Sequence, residues 1–245
     1  MEQKDWFETW FGSPYYKILY KHRDEPEAQA FIEKLLGYLQ PPAGCKMLDI
    51  ACGDGRYARQ LAGHGYDVTG IDLSLHHIEI AKEYEADNLH FYVHDMRMPA
   101  YINYFNYAFN FFTSFGYFAH DRDHLLAAKS FARSLQKGGT LVIDYLNAVN
   151  VMQHLVPQDT LVRGSYTFHI NRRVERRHFI KDIRFTDADN KPRHYTESVA
   201  AFELADFIKM FGTAGLSLVH TFGDYKLQAF DAATSPRLIM VFKKQ

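Results

Sequence analysis

At 245 residues, with 47% hydrophobic and 23% charged residues, the chain is long enough for a sizeable core and ordinary in composition for a globular domain. Its formal net charge of -1 advertises neither a nucleic-acid nor a membrane partner, and Cys45 and Cys52 make no metal or redox spacing. No leader-like start or long apolar run is present, so a single domain in the cytoplasm is expected.

Trp6, Phe7, Trp10 and Phe11 fall at helical spacing, and Gly12-Ser13-Pro14 breaks the pattern. Ala28, Phe31, Ile32, Leu35, Leu36 and Leu39 then form an amphipathic stripe that Pro41-Pro42 ends, so residues 1–42 are expected as a helical lid. Met47, Leu48 and Ile50 predict a buried parallel strand that stops at Ala51-Cys52-Gly53-Asp54-Gly55. A helix over Tyr57 and Leu61 follows, closed by Gly63 and Gly65, and residues 66–71 predict a second strand that Asp72 terminates. Ser74 reads as the N-cap of a helix reaching about Glu85. Strands are expected over Leu89 to Val93, Phe105 to Phe112 and Thr140 to Tyr145, with a helix from Asp121 to Leu135 before the last. Residues 43–150 would be the core.

From about Leu161 to Phe202 the pattern alternates like antiparallel strands around the turn at residues 187–192, which predicts a small sheet inserted within residues 151–201, over the mouth of the core. A helix from Phe202 to Phe211 and strands at Leu216 to Phe222 and Leu238 to Phe242 complete residues 202–245. The connector from Gly223 to Arg237 has no helical stripe, so the last strand should run antiparallel to its predecessor.

Gly53-x-Gly55-x-x-Ala58, with Asp72 about 20 residues on, matches a dinucleotide fingerprint. Three further carboxylates point elsewhere. Asp49 lies inside the last turn of the first strand, Asp54 sits in the loop where it would repel a pyrophosphate, and Asp95 ends the third strand. Such a crevice suits a ligand that is cationic at one end and an adenosine at the other. S-adenosylmethionine (SAM) has that chemistry.

DIACGDGR, GIDLS and HDMR resemble the motif series of class I SAM-dependent methyltransferases. WFGSPYYKILYKHRDEPEA, NFFTSFGYF, KGGTLVIDYLN and SPRLIMVFKK extend the resemblance to a bacterial group of small-molecule (type 11/25-like) enzymes, across nearly the whole chain. The resemblance implies an α/β Rossmann-like fold: a seven-stranded, mainly parallel sheet with an antiparallel last strand, plus the small antiparallel β insertion. It implies that Tyr15, Tyr16 or Tyr20 of the lid reaches the cofactor and that Asp49, Ala51 and Gly53 surround the methionine end. Asp72 and Leu73 would meet the ribose, Asp95 and Met96 the adenine, and Phe111 would line the mouth.

The implied acceptor is a small molecule, with an amine favoured over a hydroxyl because no strong base is legible; Tyr117, His120 and Asn147 are the candidates for assistance. His76 and His77 point to different helix faces, and His120 with His124 lacks a third partner, so no metal is expected. The arginines of the insert, from Arg163 to Arg193, admit two readings: a clamp for an anionic substrate, or a solvated, charge-paired face. The second carries more weight, since Glu175 and Asp182 interleave with them. An RNA or protein methyltransferase, a SAM-holding regulator and a nicotinamide oxidoreductase are the rival classes. Membrane and nucleic acid are not expected as partners, and nothing opposes a homodimer.

Overall fold

The computed structural model describes residues 6–20 and 25–245; the helical expectation over residues 1–5 and 21–24 lies outside the described residues. Three helices lead in: α1 (Trp6–Phe11), α2 (Pro14–Leu19) and α3 (Glu25–Leu39). The core then alternates: β1 (Lys46–Ile50), α4 (Arg56–Gly63), β2 (Asp67–Asp72), α5 (Leu75–Lys82), β3 (Leu89–Val93), β4 (Phe105–Asn110), α6 (Asp121–Ser134) and β5 (Leu135–Leu146). After a short α7 (Ala148–Gln153) come β6 (Gln158–Arg163), β7 (Tyr166–Glu175), β8 (His178–Thr186) and β9 (Pro192–Ala200). The chain finishes with α8 (Leu204–Thr213), β10 (Leu216–Phe222) and β11 (Arg237–Lys244).

Seven strands form one sheet in the order β10-β11-β5-β4-β1-β2-β3, and β11 runs antiparallel to both neighbours while the rest are parallel. The apolar runs of β1 and β5 are what a sheet covered on both faces requires. Phe131, Phe207 and Phe211 of α6 and α8 pack one face; Phe31, Leu35, Leu61 and Ile78 of α3, α4 and α5 pack the other. Chain order reverses where β1 pairs with both β2 and β4, and this opens a crevice at the strands' carboxyl ends.

Several boundaries differ from expectation for local reasons. β4 stops at Asn110, not Phe112, because Phe112 and Thr113 both turn left-handed at φ 60°. β5 begins at Leu135, five residues before Thr140, and α5 ends at Lys82. α2 follows from Ser13, whose hydroxyl accepts from Tyr16 N at 3.3 Å, with Pro14 at the first helical position.

The insert is the four-stranded antiparallel meander β6-β7-β8-β9. Its apolar face, with Phe168, Ile170, Ile183 and Phe185, packs against Trp10 and Leu19 of α1 and α2. The insert therefore supports the lid; its own strands do not line the mouth, as shown next.

Candidate active site

The loop after β1 is shaped by left-handed residues: Ala51 at φ 59°, Gly53 at φ 58° and Gly55 at φ 81°. A Cβ on Gly55 would stand 2.5 Å from Cζ of Phe91, so the tight passage over β3 demands glycine. Asp72, at the end of β2, ties this loop down. Its Oδ2 accepts from Gly53 N at 2.9 Å and its Oδ1 from Ser74 N at 2.8 Å.

Asp49 is 1% exposed, and its Oδ2 is buried with no hydrogen-bond partner among the described residues. Burial first, then the nearby Asp72 charge, push its pKa to about 8. Burial raises Asp72 as well. An unmatched carboxylate oxygen at the floor of a crevice is a costly arrangement unless a cation or donor arrives to match it.

The crevice holds two adjoining cavities. The larger, about 350 Å³, runs past Asp49, Gly53, Phe111 and the lid residues Tyr16 and Tyr20. The smaller, about 70 Å³, is walled by Leu73, Asp95, Met96 and Phe118. Asp72, Ala51, Ser114, Tyr117 and Phe11 border both, so Asp72 stands at the junction. Asp49 thus lines the larger cavity, Asp72 the junction and Asp95 the smaller, more apolar one. Asp95 is also a turn residue: its Oδ1 accepts from Arg97 N at 2.8 Å, and its Oδ2 pairs with Arg97 Nη2 at 2.6 Å, holding its pKa below the usual range despite burial.

One wall was not legible in the sequence. Asp144 of β5 is fully buried and accepts through Oδ1 from Arg237 Nε at 2.8 Å, and through Oδ2 from Phe112 N at 2.8 Å and the Tyr225 hydroxyl at 2.9 Å. Arg237 Nη2 reaches Thr113 Oγ1 at 3.0 Å. Left-handed backbone at Phe112 and the β-branched Thr113 is strained, and this network holds the turn that sets Phe112 at the cavity rim. Only the strings KGGTLVIDYLN and SPRLIMVFKK hinted at it.

Across the opening, Lys17 of α2 lies 3.4 Å from Asp54, joining the lid to the glycine loop through a half-exposed pair. His77, 7% exposed at the start of α5, also borders the larger cavity, and burial favours its neutral form.

The structure separates the proposed helpers. Tyr117 borders both cavities, its hydroxyl donating to Thr113 O. His120 is exposed at the N-cap of α6 and borders neither. Asn147 is 2% exposed, and its amide is spent on Ala232 O at 2.9 Å and Ser235 O at 2.8 Å, latching the loop before β11. Four of the insert's arginines pair with carboxylates: Arg173 with Asp182, Arg193 with Asp187, Arg172 with Asp159, Arg177 with Asp206. None borders either cavity, which favours the solvated, paired face over the anion clamp.

These features define a class. A family model described as a methyltransferase domain matches residues 20–221, and the chain belongs to that family, the class I SAM-dependent methyltransferases. A SAM-dependent methyltransferase from Clostridium acetobutylicum ATCC 824 superimposes with a TM-score of 0.79 at 17% identity, covering 94% of this chain and 96% of that one. A SAM-bound amino pentose methyltransferase from Micromonospora echinaspora superimposes at 0.72 with 16% identity, over 95% and 98%. A dTDP-3-amino-3,6-dideoxy-alpha-D-glucopyranose N,N-dimethyltransferase of Streptomyces fradiae is 25% identical over 204 residues, 80% of this chain and 78% of that protein. The matches to the first curated relatives span 17% to 44% of those proteins' lengths. No helix among the described residues is long and apolar enough to cross a membrane.

Proposed function

We propose that the protein methylates an amine on a small-molecule acceptor, using SAM as donor. The residues present fit that cofactor on the strength of Asp49: its unmatched buried oxygen, beside a helix N-terminus at Arg56, suits an α-ammonium with a neighbouring carboxylate. Asp49, Ala51, Gly53 and Tyr16 would hold the methionine end, with Phe111 as the wall behind it. Asp72 and Leu73 would hold the ribose, and Asp95 with Met96 the adenine. The group supplies a methyl carbon already activated by a sulfonium, so the chain's task is positioning and exclusion of water.

The observation that favours an amine is the character of the larger cavity. Its rim carries Phe11, Tyr16, Tyr20, Phe112 and Tyr117, and its lining holds Asp49, Asp54 and Asp72 together with Lys17 and Arg56, while the insert's arginines lie elsewhere. Aromatic faces attract an ammonium by about 0.5–2 kcal/mol. The amino-sugar chemistry named for the Streptomyces relative and the Micromonospora structure agrees with this reading. An amine needs only to lose one proton to attack, whereas a hydroxyl needs a strong base that Tyr117 does not provide. The test is a panel of amino sugars and other small primary amines beside matched alcohols, read by mass spectrometry of the products. Methylation of amines is expected; methylation confined to alcohols would refute the reading.

A further inference from the structure

His76 and His77 stand side by side in the sequence, and α5 sends them apart. His76 is exposed, while His77 is buried and borders the larger cavity. Neighbours along a helix point about 100° apart, so only the second imidazole reaches the crevice.

The fold makes no use of that ring. The cap of α5 takes the His77 backbone N–H, which donates to Ser74 Oγ at 3.3 Å, and neither ring nitrogen has a hydrogen bond among the described residues. The ring nitrogens of His124 are sealed among phenylalanines, whereas His77 opens on the cavity. Buried polar groups are as a rule hydrogen-bonded, and an apolar side chain at this position would pack without the cost of stripping water from an imidazole. A ligand in the cavity accounts for the ring.

The surroundings indicate which part of a ligand it meets. Among the charged neighbours Asp72 acts most strongly on the ring, ahead of Lys17 and Asp54, and all four residues line the larger cavity. No hydrogen bond or ion pair joins His77 to Asp72 among the described residues: Asp72 Oδ2 accepts from Gly53 N and Oδ1 from Ser74 N. Each oxygen keeps a second lone pair, so the carboxylate can still accept on the cavity side. A hydroxyl is the group that fits between the two. It gives its one hydrogen to Asp72 and takes the N–H of a neutral imidazole on its own lone pair. A ligand carboxylate in the same place would face Asp72 and Asp54.

We propose that His77 is a cofactor-binding residue that shares the ribose diol of SAM with Asp72, its ring donating to a hydroxyl whose own hydrogen goes to the carboxylate. The inference rests on the placement of the ribose at Asp72 given above and adds the donor that this placement leaves open. Asp72 supplies acceptors alone; His77 gives one hydroxyl oxygen its partner.

The experiment titrates full-length wild type and His77→Leu calorimetrically with S-adenosylhomocysteine and with its two analogues that each lack one ribose hydroxyl. Because the ring bonds to no described residue, the variant should melt no lower than wild type. Its affinity for S-adenosylhomocysteine should fall by about 3- to 10-fold, the span of one neutral hydrogen bond. For the analogue without the bridging hydroxyl, wild type and variant should agree within about twofold. Equal losses for all three ligands would overturn the proposal, because a packing change does not single out one hydroxyl, and so would an unchanged affinity for S-adenosylhomocysteine. If wild type bound all three ligands equally, the diol would not lie at Asp72, and the ribose placement would fall together with this inference. Wild-type discrimination that His77→Leu leaves intact for both hydroxyls would remove His77 alone.

Discussion

Asp49 offers the sharpest test of the cofactor assignment. Its folded pKa of about 8 stands above the ordinary 3.8 because burial and then Asp72 penalise its charge. At pH 7 such a group is about nine-tenths protonated, and pairing with the cofactor ammonium restores the charged form. Binding of SAM at pH 7 should therefore release about 0.9 proton, and affinity should rise up to about 100-fold between pH 5 and pH 7. Calorimetry in two buffers of different ionisation enthalpy reads the proton count directly, with Asp49→Asn as the comparison. Without cofactor the sign for stability is opposite. A carboxyl with a raised folded pKa binds more protons in the fold than in the unfolded chain between about pH 4 and about pH 8, so stability falls as pH rises through that window. Cofactor should remove that slope, and its effect on the melting temperature should grow across the same range. Proton release near zero in the wild type, or equal release in Asp49→Asn, would refute the pairing.

Asp144→Asn leaves the buried Arg237 without its counter-charge and should cost about 3–5 kcal/mol, lowering the melting temperature by about 6–20 °C in a chain of this size. A shift under about 3 °C in a thermal melt would show that the network braces nothing. His124 is 1% exposed among Phe115, Phe118 and Phe202, both ring nitrogens lack hydrogen-bond partners among the described residues, and burial lowers its pKa to about 4. Its neutral form is favoured in the fold, so wild-type stability is complete above pH 6.5 and is lost as pH falls towards 4. His124→Leu should gain on wild type by about 2 kcal/mol between pH 7 and pH 5 in denaturant titrations, and a constant difference would contradict the assignment.

Elements defined by near neighbours were legible in the sequence. The strand, glycine turn and helix around Asp49, the Ser74 cap, and the strands Leu89–Val93 and Leu216–Phe222 depend on side-chain periodicity and turn chemistry within a few residues. The antiparallel last strand also followed from its connector, which lacks a crossover helix. The junction carboxylate Asp72 could be placed because the spacing from the glycine loop is itself local.

Other features belong to the folded chain alone. Phe111 and Phe112 continue the strand's apolar pattern, and the left-handed turn at Phe112 that ends β4 is held by the bond from Phe112 N to Asp144, 32 residues on. Asn147 was expected at the mouth, yet its amide is consumed 85 and 88 residues away, and Arg173 and Arg193 of the insert spend their charge on Asp182 and Asp187. Tyr20 was visible as a lid tyrosine, but its hydroxyl is engaged by Glu197 and Lys181, 177 and 161 residues distant. Sequence by itself determined most of the elements and where the strand-end carboxylates Asp49, Asp72 and Asp95 fall, because periodicity and turns are short-range. Tertiary structure alone decided which polar groups are spent on one another and which face the cavity, because a hydrogen bond depends on the few ångströms between two atoms and not on their separation along the chain.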